Sequence, residues 1–405
     1  MRESEESLTR WELPVTMVIF GGGATGSTLT LLAQKEEFIE KIICIDTNIK
    51  RAKDFLGPTV NWEKVQLWYG DFNDFDEEIL SNLLGTFIVI NAATFEDNAN
   101  IKIMKIAQEI GANSLDLATK EDDYPPAQFS FRDTYEKECL IHLINFGVGP
   151  GLTNLMARQL INGLIDCEVN VWVCEDADTD VNIFQYNPKD AINEATSPVP
   201  DFDSSNKLKR TRKALSEPEY FKFPDPIGAK VCVLADENEG PTLFTIPNVN
   251  FVQTKIGGRD PEKMKSIVDG IKRPADKKGV KKFLKTKINP TPTPAEITKM
   301  INRKVLREST LAISVEIWGI EPATDEEIYK RADWIAPSLG RIQEKFPGRT
   351  PLQVMTAFMA LQGIKRIFYS KSIPFGVWPP EKLKKRDRQE IFSALKDFGA
   401  PVTFS

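Results

Sequence analysis

The chain has 405 residues, with 52 Lys+Arg against 58 Asp+Glu, a formal charge of −6, 41% hydrophobic residues and 27% charged residues. That length predicts two or three domains at roughly 150 residues each, and a balance without basic excess excludes nucleic acid or an anionic membrane as the main partner. Its single histidine, His142, excludes HExxH sites, zinc fingers with paired histidines and three-histidine zinc centres, so no metal is expected.

Residues 1–13 are polar and acidic, unlike a signal peptide, and are expected to be a flexible tail. Val15 to Phe20 is a short, β-branched apolar run of the kind that suits a strand buried on both faces. It stops at Gly21-Gly22-Gly23-Ala24-Thr25-Gly26, and a helical pattern follows through Leu29, Leu32, Ala33 and Phe38. Further strands are predicted at Ile42–Ile45, Val65–Tyr69, Phe87–Ile90, Ser114–Leu117 and Ile141–Phe146, with helices at Lys50–Leu56, Ile101–Ile110 and before Leu140. Such alternation predicts a doubly wound α/β unit, in which ligands sit at the carboxyl ends of the strands.

After Gly151 the pattern changes. A helix over Leu152–Leu164 leads to an alternating strand at Glu168–Cys174, residues 186–226 read as long loops, and strands are predicted at Val231–Leu234, Leu243–Ile246, Phe251–Ile256 and Leu311–Trp318. From Asp325 onward the chain reads as mainly helical. The boundaries expected are therefore 14–152 for a Rossmann-type α/β domain, 153–322 for an α+β mixed-sheet domain and 323–405 for a helical segment. Residues 263–287 carry ten basic and two acidic residues, read as a solvated helix or insertion, with an acidic partner or polyanion as the sharper alternative. Five cysteines without a CxxC pair predict reduced thiols and a cytoplasmic location, and no apolar run reaches the roughly 20 residues of a membrane span.

Gly21, Gly23 and Gly26 directly follow a buried-type strand and open a helix, and Asp46 ends the next strand 20 residues after Gly26. This combination is the dinucleotide fingerprint. Gly21 permits the turn, Gly23 lets the backbone approach a pyrophosphate, and Gly26 allows close packing of helix on strand. The free N–H groups at the helix start, around Ala24 and Thr25, face the phosphates. Asp46 would accept hydrogen bonds from an adenosine ribose and repel a 2′-phosphate, which favours NAD, while Lys50 and Arg51 keep NADP open. Asp71, after the third strand, is placed to meet the adenine or to cap its own turn. None of the seven tyrosines has Lys four residues on, so the Tyr-x-x-x-Lys pair is absent. His142, in mid-strand, reads as sheet packing.

Four segments together resemble the saccharopine dehydrogenase-like family, in its saccharopine reductase, lysine 6-dehydrogenase and carboxynorspermidine dehydrogenase branch. They are Gly21–Gly26, Ile90–Ala93, Ala112–Ala118 and Gly147–Asn154, with further likeness at Glu219–Gly228 and Gly376–Glu381. The resemblance spans nearly the whole chain. It implies a nicotinamide-dependent oxidoreductase acting through an imine on the CH–N bond of an amino acid or secondary amine, and a homodimer. It also implies three parts: a Rossmann domain, a mixed-sheet domain that carries substrate contacts and often dimerises, and a C-terminal segment packing back towards the first domain.

The resemblance makes Asp116 the carboxylate near the reacting nitrogen, with a loop-fixing role as the alternative, and leaves Lys120 as another proton relay. Asn91, Ala92, Ala93 and Thr94 would line the nicotinamide side. Gly147, Pro150 and Gly151 would shape a turn over the substrate, with Asn154 as a polar contact, and Arg158, Arg212 and Arg259 are candidates for holding substrate carboxylates. Two departures stand out: Gly149 occupies a position where relatives commonly carry an acid, and no histidine falls in Asp236–Glu239. They motivate a second reading, a dinucleotide-binding sensor or scaffold without turnover.

Overall fold

The computed structural model describes residues 11, 14–75, 77–94, 98–119, 124–181, 183–205, 211–235, 238–258 and 290–405. The expectations for Lys120, Arg259, the basic run 263–287 and most of the tail lie outside these residues. Trp11 is described: its indole N–H donates to the Ile367 carbonyl at 3.0 Å and its ring meets Phe87 edge-on at 5.3 Å. The chain forms two compact units where three parts were expected. One is Met1–Thr119, Ala127–Gly147 and Thr356–Ile391; the other is Lys120–Pro126, Val148–Met355 and Phe392–Ser405.

The first unit is a doubly wound α/β unit. Its strands are β1 (Val15–Phe20), β2 (Ile39–Asp46), β3 (Val65–Tyr69), β4 (Thr86–Asn91), β5 (Asn113–Asp116) and β6 (Ile141–Leu143). With the Gly376–Trp378 strand they make one parallel sheet, ordered Gly376–Trp378, β6, β5, β4, β1, β2, β3. The helices of the first half are α1 (Ala24–Ala33), α2 (Ile49–Leu56), α3 (Glu77–Asn82), α4 (Ala99–Glu109) and α5 (Arg132–Lys137). The apolar runs form strands because both faces are covered. On one face Val18, Phe20, Ile43, Ile45 and Val89 pack with Ile103, Ile106 and Ala107 of α4. Burying each such side chain contributes about 1.5–3 kcal/mol.

The chain runs outward from β1 to β3 and then returns to β4 on the other side of β1. The strand order therefore reverses between β1 and β4, the place where an open α/β sheet forms a crevice at its carboxyl end. The outermost strand, Gly376–Trp378, is held by Arg132 of α5. That guanidinium lies 4.8 Å from the Phe129 ring centre and 4.9 Å from that of Trp378, and its Nε donates to the Val377 carbonyl at 3.3 Å.

The second unit is built on α6 (Leu152–Ile161) and a mixed sheet of β7 (Ile165–Thr179), β8 (Glu219–Lys222), β9 (Ala229–Leu234), β10 (Val249–Gly257), β11 (Leu306–Glu321), β12 (Glu326–Ile335) and β13 (Val402–Phe404). The order is β8, β9, β10, β7, β11, β12, β13, with Phe202–Asp203 pairing β10 off this path. Only β10 and β7 run parallel within that path. The sheet curls, so that Phe221 of β8 stacks on Trp172 of β7 at 4.4 Å, and Arg331 of β12 donates to the Lys222 carbonyl at 3.0 Å.

Three expectations fail here. Leu243–Ile246 is the end of a short helix, Gly240–Leu243, and its following turn, because Pro241 favours a helix start. Glu326–Ile335 is a strand, not a helix: it pairs with β11 through ten consecutive partners that bury Ala332 and Trp334. The predicted loop 186–226 contains the helix Pro188–Thr196, capped by the Asn187 side chain, and short strands including β8.

Candidate functional site

The Gly-rich turn connects β1 to α1. Gly21 has φ +97°, and a Cβ there would stand 2.7 Å from the Ala92 carbonyl oxygen and the Ala93 backbone. A Cβ on Gly26 would fall 1.9 Å from the Gly21 carbonyl oxygen, so α1 can approach β1 only through glycine. Among the described residues, nothing lies within 4 Å of a Cβ built on Gly23, the residue before α1. Asp46, half-buried at the end of β2, locks this turn: one carboxylate oxygen accepts from the Gly22 amide at 2.7 Å, the other from the Asn48 amide at 2.7 Å. The Asn48 side chain in turn caps α2, accepting from the Arg51 amide, and the Arg51 guanidinium lies 5.1 Å from the Phe55 ring centre. Lys50 is exposed. Asp71 accepts from the amide and the side chain of Asn73 at 2.9 and 2.8 Å, which is the turn-capping alternative in geometric form.

At β4 the Asn91 side chain organises its loop. Its oxygen accepts from the Ala93 amide at 3.0 Å, and its NH2 donates to the Thr94 carbonyl at 2.8 Å and to Asn100 at 2.6 Å. Asn100, in the first turn of α4, donates onward to the Ala118 carbonyl at 2.8 Å. The loops after β4 and β5 are thereby tied together, with Asn91, Ala92, Ala93 and Thr94 on one of them.

Asp116 ends β5 and is 1% exposed. One carboxylate oxygen accepts from the Asn145 amide at 2.8 Å; the other receives Gln128 Nε2 at 3.0 Å and faces His142 Nε2 at 3.0 Å. Gln128 also donates to Thr119 at 2.8 Å. A buried carboxylate with three protein partners is arranged to hold the turn after β6, the loop-fixing alternative named above. The reading of His142 as sheet packing alone is incomplete: the one histidine contacts Asp116, the carboxylate at the end of β5.

The turn around Pro150 belongs to the second unit, except for Gly147, which ends a segment of the first and is buried. Gly151 has φ +125° and its amide donates to Asn154 Oδ1 at 2.9 Å, while Asn154 Nδ2 donates to Thr242 at 2.9 Å. Asn154 is fully buried, and its amide serves the start of α6. Arg212 is likewise engaged inside its unit, donating to Glu217 at 3.1 Å and Gln253 at 3.0 Å. Arg158 is half-buried on α6.

Beside this turn lies a residue that sequence reasoning gave no role. Glu239 is fully buried and accepts from Thr153 at 3.0 Å and from Thr254 at 3.3 Å. Burial pushes its carboxyl above the usual range, and the hydroxyl contacts pull it partly back. A Cβ on Gly149 would stand 3.3 Å from Glu239 Oε1, so an acid reaches the space beside Gly149 from another segment of the chain.

All five cysteines are free thiols. Four are buried, and burial pushes Cys44, Cys174 and Cys232 up to about 12, which leaves them poor nucleophiles. No helix among the described residues is long and apolar enough to cross a membrane.

No family model matches the chain, and no curated protein matches its sequence. Among solved structures it is similar to the DAP dehydrogenase of C. glutamicum in complex with DAP, at 11% identity over 93% of this chain and 96% of that one, with a TM-score of 0.45. It is also similar to an amine dehydrogenase from Mycobacterium smegmatis, at 12% identity over 92% and 96% with a TM-score of 0.44. GenD2 from gentamicin A biosynthesis, in complex with NAD, has 8% identity over 95% and 93% with a TM-score of 0.40. Likeness this distant carries no functional weight.

Proposed function

We propose that the chain binds NAD(H), with NADP(H) as the weaker alternative, in the Gly21–Gly26 turn, and that it is an oxidoreductase acting on the CH–N bond of an amino acid or secondary amine. The observation that carries the cofactor reading is the turn itself: glycines at 21 and 26 where a side chain would collide, nothing among the described residues within 4 Å of a Cβ on Gly23, and Asp46 fastened to the Gly22 amide. These residues fit a dinucleotide. Backbone donors at the start of α1 would hold the pyrophosphate, and Asp46 has lone pairs left for ribose hydroxyls. A nicotinamide, when bound, gives or takes the hydride.

The chemistry at nitrogen rests on the resemblance to the saccharopine dehydrogenase-like family. On this reading Asn91 holds the loop Ala92–Thr94 beside the cofactor, and Asp116 keeps the turn after β6 in shape through the Asn145 amide. Gly147, Pro150 and Gly151 shape the substrate side, Lys120 remains a candidate proton relay, a homodimer is the working form and the cytoplasm its location. The test is a panel of amino acids, polyamines and oxo-acids, followed through NAD(P)H absorbance with both cofactors. Turnover with an amine or an oxo-acid and amine pair supports the reading, and turnover confined to alcohols contradicts it.

One observation favours the second reading, a dinucleotide-binding sensor without turnover. Asp116 and Asn154, two of the side chains expected to meet substrate, are both engaged in internal hydrogen bonds. Tight NADH binding with no turnover across the whole panel would select it.

A further inference from the structure

A buried chain of hydrogen bonds runs through the first unit from α4 to the end of β5. Tyr135 Oη lies 2.9 Å from the Met104 carbonyl oxygen and 2.9 Å from Ser114 Oγ. Ser114 Oγ lies 2.6 Å from His142 Nδ1, and His142 Nε2 lies 3.0 Å from Asp116 Oδ2. Tyr135 is fully buried, and Ser114, His142 and Asp116 are each 1% exposed.

The direction of every bond in this chain follows from its first member. A carbonyl oxygen only accepts, so the phenol proton points at Met104. Burial pushes the Tyr135 phenol above its usual range, so that proton is present at neutral pH. Ser114 must then donate to the phenol oxygen, which leaves its own oxygen as an acceptor towards the imidazole. His142 Nδ1 must therefore carry a proton. The opposite nitrogen faces a carboxyl whose two oxygens already receive N–H groups, Oδ2 from Gln128 and Oδ1 from Asn145, so both act as acceptors. A carboxylate needs a donor at Nε2 as well.

We infer that His142 is a doubly protonated imidazolium paired with ionised Asp116 at neutral pH, and that it is a positioning residue. It fixes the carboxylate whose other oxygen holds the Asn145 amide and, with it, the turn leading to Gly147. The inference rests on the geometry of this unit and is independent of the cofactor reading. Among the described residues, the titratable groups facing the ring are Asp116 from β5 and Tyr135 from α5. Val377 of the adjoining strand pairs with His142 on its other side, and Arg132 of α5 is turned onto the Phe129 and Trp378 rings.

The chain contains one histidine, so a long-range proton–nitrogen correlation spectrum of the uniformly nitrogen-15-labelled full chain shows one imidazole and needs no assignment by mutation. At pH 7 both ring nitrogens are expected in the protonated range. A neutral pattern with either nitrogen bare overturns the inference. Tyr135→Phe supplies the second measurement. It keeps the ring in place but removes the acceptor that turns Ser114, so the Ser114 hydroxyl becomes free to donate to Nδ1. The expected result is loss of the Nδ1 proton at pH 7 in a folded variant. An unchanged imidazole signal in Tyr135→Phe contradicts the directional chain even if the wild-type spectrum agrees.

Discussion

The two halves of the parallel sheet treat their carboxyl ends in opposite ways. At β1 and β2 the turn is made of backbone: glycine where any side chain would collide, open space at Gly23, and a single carboxylate, Asp46, bonded to two amides. At β4, β5 and β6 the turn is organised by side chains: Asn91 with Asn100, and Asp116 with the Gln128 and His142 side chains and the Asn145 backbone amide. Buried polar groups must find partners, and in the second half these side chains find them in one another and in the loop backbone. In the first half, nothing among the described residues lies within 4 Å of a Cβ built on Gly23.

The contrast can be broken at each end. Asp116→Ala removes the acceptor of three buried groups and should cost about 3–5 kcal/mol, the usual penalty for opening a buried charged network, measured by urea unfolding. Cofactor affinity in the fraction that stays folded should be unchanged. A loss below about 1 kcal/mol would mean that these bonds contribute little. Gly26→Val puts a side chain onto the Gly21 carbonyl and should cost about 3 kcal/mol by overpacking, with loss of dinucleotide binding, since α1 must move away from β1.

Glu239→Gln tests the buried acid of the second unit through pH. The folded chain holds this carboxyl protonated to higher pH than the unfolded chain, whose value is the ordinary 4.5. Below that pH both states carry the proton. As pH rises beyond it the unfolded chain releases its proton first, so the wild type loses stability while Glu239→Gln does not. Thermal melts from pH 4 to 8 should show the variant gaining on the wild type as pH climbs; a constant difference contradicts the raised value. The smallest effect is expected at Asp46→Asn, which removes the charge that disfavours a 2′-phosphate. The preference for NAD over NADP should fall by about tenfold, or ~1.4 kcal/mol, in paired binding titrations.

How much of this could be read from the chain depended on where the stabilising partners lie. β1 and β3 coincide with their predicted spans, because a parallel strand covered on both faces is written as a local apolar run. The glycines and Asp46 were legible for the same reason, as a compact motif with a fixed spacing. The second unit was harder. Glu326–Ile335 becomes a strand through pairing with β11, and the Gly376–Trp378 strand joins its sheet beside β6, more than 230 residues away. His142 looked like packing because nothing in Leu140–Ile144 says what stands opposite. Its partners, Ser114 and Asp116, lie 28 and 26 residues away. Glu239 stood in a stretch already singled out for lacking histidine, and only the fold places its carboxyl beside Gly149.

The central claim is that the Gly-rich turn is open for a dinucleotide. Titration of NADH into the wild-type chain and into Gly23→Asp, with matched thermal melts, tests it most directly. A side chain at position 23 has room, so the variant should fold as the wild type does, while its carboxylate occupies the pyrophosphate's place. The account predicts wild-type binding and affinity reduced by roughly 100-fold in the variant, about 2.7 kcal/mol. Equal affinity in the two folded proteins, or no binding to the wild type with either nicotinamide cofactor, would contradict it.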